Sequence, residues 1–318
     1  MHPGITGARI RQGKFSSELG AGSMGAQTLG GGRDMKVQRQ KALAKINLTL
    51  DIVGKREDGY HELETIMHTV SLHDKVTLLP GEGGVGLWCN LPYVPRDSRN
   101  IAYKAALAFF QETGKKGAVH IKLQKRIPVG AGMAGGSTDA AAVLRLLNRA
   151  YGYPLTKKKL QELALTLGAD VPFCLETGCR LARGIGEKLT PAPHLPPCGI
   201  LVIKPRYSIS TKSLFQKMDA GPLHQRPDTQ AMLRALEEGD LEKIGANLRN
   251  VMEPVACALH PQEQELREKL LAEKALGARM TGSGSALYGL FENTQQAEKA
   301  AEAFRKLPVE TFVCTPVF

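Results

Sequence analysis

One tryptophan, aromatic residues at 5%, and no C-x-x-C, H-x-x-x-H or G-x-x-x-x-G-K-[ST] pattern mark this chain by what it has little of. Those gaps exclude the common zinc and dithiol motifs, the P-loop, and the rows of stacking rings that bind single-stranded nucleic acid. The longest apolar runs, such as Ala140–Leu147, are broken by charge well short of the roughly 18–20 residues that cross a membrane, so no membrane partner is expected. The N-terminus has no apolar block of the secretory kind, and the six cysteines form no close pairs, which points to reduced thiols in a cytoplasm. Cys174 and Cys179, five apart without a nearby histidine, read as small buried thiols rather than metal ligands.

What is present fills two ordinary hydrophobic cores: 318 residues, 42% of them hydrophobic and 23% charged. The formal charge of +11 invites nucleic acid, yet lysine and arginine are spread along the chain, with Lys157–Lys159 the densest run. A basic balance so distributed suits a small, highly anionic substrate, with no nucleic-acid partner. Monomer and homodimer both remain open.

Residues 1–34, rich in glycine and serine and without periodicity, read as a disordered extension, and patterned sequence begins at Met35. Residues 35–190 and 191–318 read as two domains, joined at the proline-rich Pro191–Pro197. In the first, Ala42–Val53 alternates as a half-buried strand, residues 54–59 form a turn, and Ile66–Val70 and Lys75–Leu79 follow as two strands separated by His73-Asp74. Asn100 N-caps a helix, and Val119–Leu123 is again strand. In the second, Gly199–Lys204 is a strand, helices occupy Gln230–Glu238, Leu241–Arg249 and Gln262–Ala275, Gly277–Leu290 is strand–turn–strand, and Gln295–Lys306 and Thr311–Cys314 close the chain as helix and strand. The class is α+β.

The most informative stretch is Pro128-Val129-Gly130-Ala131-Gly132-Met133-Ala134-Gly135-Gly136-Ser137-Thr138, which leads straight into an alanine- and leucine-rich helix with Ser137 as candidate cap. Glycines let backbone N–H groups close on an anion, and the helix start adds unpaired donors and the positive end of its dipole. A turn that only reverses strand into helix satisfies the same residues. The Gly130-x-Gly132-x-x-Gly135 spacing matches the dinucleotide fingerprint, but no acidic residue stands about 20 positions on to hold a ribose.

The loop resembles the second motif of the GHMP kinase superfamily. Ala44-Lys45-Ile46-Asn47-Leu48, Asp58-Gly59-Tyr60-His61-Glu62-Leu63, Gly168-Ala169-Asp170-Val171-Pro172-Phe173 and Arg279-Met280-Thr281-Gly282-Ser283-Gly284-Ser285-Ala286 narrow the likeness to the 4-diphosphocytidyl-2-C-methyl-D-erythritol kinase family, over about Lys41 to Phe318. The resemblance implies a β-rich nucleotide domain packed on a ferredoxin-like domain, with ligands in the cleft between. It implies transfer of a phosphoryl group from ATP, with Mg2+, to the 2-hydroxyl of a cytidine diphosphate substrate in the non-mevalonate isoprenoid route; a GHMP kinase for another small alcohol such as homoserine or mevalonate is the alternative. Asp170 is then the base or hydroxyl-orienting residue and Lys45 its cationic partner. Residues 128–138 hold the triphosphate, with Ser137 or Thr138 adding a hydroxyl to phosphate or magnesium, and Asn100 faces the adenine. Asn47 lies two residues from Lys45 on the same strand face and binds the polyol or cytidine end, while Tyr60, His61, Thr211 and Phe215 enclose the cytosine. No protein metal ligand is assigned.

Overall fold

The computed structural model describes residues 35–219, 223 and 225–318. The extension expected over residues 1–34 lies outside the described residues.

The first layer is a seven-stranded sheet. Its backbone is a long hairpin, β1 (Gln38–Lys55) against β2 (His61–Pro80), to which β3 (Val85–Cys89), α1 (Ile101–Thr113), β4 (Val119–Gln124), α2 (Gly135–Ala150), α3 (Lys157–Leu167), α4 (Val171–Cys174), β5 (Cys179–Gly184) and β6 (Lys188–Pro191) are added. The path runs β3-β4-β2-β1 and on to β8 (Arg249–Asn250), with β5 joined to β2 and β6 to β5. The remaining elements are β7 (Gly199–Pro205), α5 (Thr211–Met218), α6 (Thr229–Glu238), α7 (Leu241–Asn247), β8 (Arg249–Asn250), α8 (Glu253–Leu259), α9 (Gln262–Ala272), β9 (Gly277–Met280), β10 (Leu287–Phe291), α10 (Thr294–Glu302) and β11 (Val309–Cys314).

The two strands expected over Ile66–Val70 and Lys75–Leu79 are one continuous strand, β2. The polar His73-Asp74 is not a connection but the place where β2 changes partners, pairing β5 through residues 63–68 and β4 through residues 75–80. Asp74 is tolerated there because it turns fully inward and accepts from the Ile127 backbone N–H at 2.8 Å.

One core cluster packs Met67, Val76 and Leu78 of the large sheet under α1 and α2. Along α2 every side chain from Thr138 to Leu144 is buried, and Val143, Leu144, Leu146 and Leu147 each stabilise by about 1.5–3 kcal/mol on removal from water. A second cluster joins Ala44, Ile46 and Leu48 of β1 to Ile200, Val202, Tyr288 and Leu290 of the other sheet.

That second sheet is four-stranded and antiparallel, in the order β11-β7-β10-β9. Counting only its own strands in chain order, the arrangement is 4-1-3-2 with helical crossovers before β9 and before β11, which is the ferredoxin-like topology expected. β7 alternates faces, with Ile200 and Val202 in the shared core and Leu201 and Ile203 under α9 and α10. The helices expected at Leu241–Arg249, Gln262–Ala275 and Gln295–Lys306 end earlier, at Asn247, Ala272 and Glu302.

Candidate active site

β1 carries the first part of the site. Ala44, Ile46 and Leu48 face the core while Lys45 and Asn47 turn the other way, both almost fully buried and both lining a cleft of about 810 Å3. Register shifts lie on either side of residues 45–47, between Leu43 and Lys45 and between Asn47 and Thr49. Such bulges re-aim side chains, so a short regular segment presents the lysine and amide to the cleft. Lys45 Nζ donates to Asn47 Oδ1 at 2.6 Å, and Asn47 Nδ2 donates to Thr65 Oγ1 at 2.8 Å. Asn47 thus lies where expected, with its amide holding Lys45 on one side and the β2 side chain Thr65 on the other.

Asp170 lines the same cleft. It occupies the N-cap position of α4, which has a proline in its first turn, yet its side chain makes no capping bond. The carboxylate stays about two-fifths exposed in the cleft, with Oδ2 3.8 Å from Lys45 Nζ. Burial pushes the thiol of Cys174, one turn on, well above its ordinary range, so it is an inert neighbour.

The glycine-rich loop lines the same cleft. Gly130 and Gly132 adopt left-handed φ values of 66° and 70°, and so does Ala134 at 58°, a conformation that an alanine takes at some cost. Contrary to the expectation for Ser137, α2 begins at Gly135 with Ala134 at the cap position and no side-chain cap. The first-turn amides of a 16-residue helix therefore open onto the cleft without a protein partner from the cap. Residues 128–137 all line the cleft; Thr138 does not, being buried with its hydroxyl toward Cys174.

A second glycine loop, residues 281–284, closes against the first. A Cβ on Gly132 would lie 2.1 Å from Thr281 O, and one on Gly282 would lie 2.7 Å from Gly132 O, so the two backbones touch without room for side chains. The Asn47 backbone N–H donates to Thr281 Oγ1 at 3.1 Å, tying this loop to β1.

At the far end, Tyr60 is 62% exposed at the β1–β2 turn, while His61 stacks on Phe215 with ring centroids 4.6 Å apart and planes 16° from parallel. No third ring fits between that pair, and Tyr60 presents a second, exposed aromatic face. Thr211 Oγ1 lies 2.7 Å from Ser283 Oγ. Asn100 lines the cleft and caps α1 as expected, with its Oδ1 accepting from the Ala102 N–H and its Nδ2 donating to Pro95 O.

Sequence reasoning missed two polar groups of this site. Beneath the glycine loop, buried Lys125 donates to Asp139 Oδ2 at 2.6 Å, to Asp74 Oδ2 and to Gly135 O at 3.1 Å. At the base end, Asp219 binds His61. The first trio is scattered along the chain and left no local signal; Asp219 stands four residues after Phe215 and eight after Thr211, a helical spacing that was there to be read.

The family descriptions "GHMP kinases N terminal domain" and "GHMP kinases C terminal" match residues 100–178 and 232–309. A 4-diphosphocytidyl-2-C-methyl-D-erythritol kinase from Caldicellulosiruptor saccharolyticus is 44% identical over 276 residues, covering 86% of this chain and 95% of that protein. The chain belongs to the 4-diphosphocytidyl-2-C-methyl-D-erythritol kinase family of GHMP kinases. A crystal structure of 4-(cytidine 5'-diphospho)-2C-methyl-D-erythritol kinase superposes with a TM-score of 0.75 at 38% identity, covering 88% of this chain and all of that one (100%). Homoserine kinase from Cytophaga hutchinsonii shares the fold, with a TM-score of 0.70 at 20% identity over 90% of this chain and 96% of its own. This small-molecule kinase has, among its described residues, no group of three or more His, Cys, Asp or Glu side chains placed to hold a metal ion and no helix long and apolar enough to cross a membrane.

Proposed function

We propose that this kinase transfers the γ-phosphoryl group of ATP to the 2-hydroxyl of 4-diphosphocytidyl-2-C-methyl-D-erythritol, giving ADP and the 2-phosphate in the non-mevalonate isoprenoid pathway. The observation that carries the reading is the Lys45–Asp170 couple, which lines one cleft together with the glycine-rich loop, the His61–Phe215 stack and Tyr60.

Phosphoryl transfer requires alignment, charge neutralisation and a group that takes or orients the hydroxyl proton. In this reading residues 128–138 surround the triphosphate, most through backbone N–H groups at the start of α2 and Thr138 through the packing of that turn. Asn100 borders the adenine. Asp170 accepts the proton of the acceptor hydroxyl, or orients it, while Lys45 stabilises the alkoxide character that develops. Asn47 fixes Lys45 and offers its second amide hydrogen to the polyol. Tyr60 and Phe215 stack on the cytosine, with His61 supplying a polar edge and Thr211 a hydroxyl. Mg2+ is proposed to arrive on the nucleotide, with the Ser137 hydroxyl beside it. We also infer a nucleotide half over residues 35–190, a C-terminal half over 191–318, and a cytoplasmic location.

Incubating the protein with ATP and the cytidylylated methylerythritol, then following ADP and a new phosphomonoester by 31P NMR, tests this directly. Phosphorylation of homoserine or mevalonate in its place, with the cytidylyl compound untouched, would overturn the substrate assignment.

A further inference from the structure

α5 presents Thr211 and Phe215 to the cleft, and Asp219 follows in the same row, directly after the helix ends. An acidic residue there opposes the helix dipole, and its carboxylate takes no part in capping, which is done by its backbone N–H to Phe215 O and Lys217 O. Its partners lie on the β1–β2 hairpin instead. Asp219 Oδ1 is 2.7 Å from His61 Nε2, and Oδ2 accepts from Lys55 Nζ at 2.7 Å. Lys55 and His61 are themselves directly opposed across the β1–β2 hairpin. One carboxylate therefore grips both strands of the hairpin end and fastens them to α5.

We propose that Asp219 is a positioning residue for the nucleobase end of the cleft: it fixes the tautomer and orientation of His61 and ties the β1–β2 turn to α5, so that residue 61 and Phe215 meet a cytosine ring already in place. This rests on the cytidylyl reading of the cleft.

The chemistry is specific. The hydrogen bonds from Lys55, then from His61, hold the Asp219 carboxyl below its ordinary range, so it is ionised and can only accept. The hydrogen of a neutral His61 must then sit on Nε2, which leaves the Nδ1 lone pair as the ring's one unshared polar site. The stack on Phe215 fixes the ring plane while Asp219 fixes its rotation within that plane. A ring held on face and edge loses little freedom when a base docks, which raises affinity for that end of the ligand alone. Because Lys55 and Asp219 are both substantially exposed, the pairing contributes little to folding, and its loss should leave the fold intact.

The test compares wild type with D219A and D219E. In D219A, KM for the cytidylylated substrate should rise about tenfold, with kcat and KM for ATP within about twofold. Calorimetry with cytidine diphosphate alone should show the same loss of affinity. In 15N-histidine spectra, the His61 signals, assigned by their disappearance in H61Q, should change from a single Nε2–H tautomer to a mixture. D219E should recover most of the affinity and the tautomer.

Unchanged KM in D219A, an equal rise in KM for ATP, or an unaltered tautomer would each overturn the proposal. Wild type that binds cytidine diphosphate and loses nothing in D219A would overturn it even if turnover were never found. Wild type that binds no cytidine nucleotide would overturn the cytidylyl reading and this inference with it, whereas a tight cytidine site without kinase activity would overturn the phosphoryl-transfer reading and leave this inference standing.

Discussion

Lys45, from the middle of β1, and Asp170, from the start of α4, line one cleft and bring Nζ and Oδ2 to 3.8 Å. That separation is too long for a tight ion pair and leaves room for an oxygen to contact both groups. Asn47 takes up the nearer side of the ammonium at 2.6 Å, which keeps Lys45 from collapsing onto the carboxylate.

Asp170→Asn keeps size and position but removes the acceptor for the hydroxyl proton. Turnover should fall about 10²–10⁴-fold with ATP affinity nearly unchanged, as measured by steady-state kinetics and nucleotide titration. Lys45→Met should lower kcat comparably, since nothing else among the described residues places an ammonium beside Asp170. Near-normal turnover in D170N would remove Asp170 from the chemistry.

The contact between the two glycine loops gives a sharper test of the phosphate cradle than a substitution at Gly135, whose added Cβ meets only side-chain atoms, the closest at 3.1 Å. Gly132→Ala combines a left-handed φ of 70° with a backbone oxygen 2.1 Å away. Gly239→Ala is the control, with a φ of 67° and nothing within 4 Å. The control should cost about 1–3 kcal/mol in urea unfolding and leave kinetics alone. G132A should cost more and raise the Kd for ATP at least about tenfold, because the loop must shift to admit the methyl group.

Much of this site was legible before any coordinates. Strand alternation put Lys45 and Asn47 on one face and the glycine spacing marked the loop, while α5 with its Ser210 cap is seen only in the structure. What stayed hidden has physical causes. β2 runs straight through His73-Asp74 because a buried lysine from another element satisfies Asp74, and a single sequence cannot show that partner. Ser137 looks like a cap, but the loop needs its left-handed bend at Ala134, so the helix starts three residues earlier than a Ser137 cap would set it. The short β3, β5 and β6 owe their pairing to the edges offered by β4, β2 and β5 in turn, more than to any strong pattern of their own.

Lys125 is the hinge of the buried trio. Its ammonium serves Asp74 and Asp139, neither of which reaches solvent, and also the Gly135 carbonyl at the head of α2. Lys125→Met would strand two carboxylates, and removal of one partner from such a group typically costs about 3–5 kcal/mol. The urea midpoint should drop accordingly, and adding Asp139→Asn should recover part of the loss. Equal stability of K125M and wild type would mean the trio is not what anchors the glycine loop.

The pH dependence of stability should carry the mark of Glu263. This residue is fully buried, accepts from the Tyr207 hydroxyl at 2.9 Å through Oε1, and has no partner for Oε2 among the described residues. Burial pushes its carboxyl up to about 7, with the Tyr207 hydrogen bond opposing. An unfolded glutamate titrates near about 4.3, so between the two values the folded state holds more protons than the unfolded one. The stability linked to that proton is complete below the unfolded value and is lost as pH rises through about 7. Glu263→Gln is neutral at every pH and can keep the Tyr207 bond through its amide oxygen. Urea unfolding at pH 5 and pH 8 should therefore show wild type losing on the order of 2 kcal/mol more than E263Q over that interval. Parallel pH profiles for the two proteins would show that Glu263 is ionised in the fold and that some other group neutralises it.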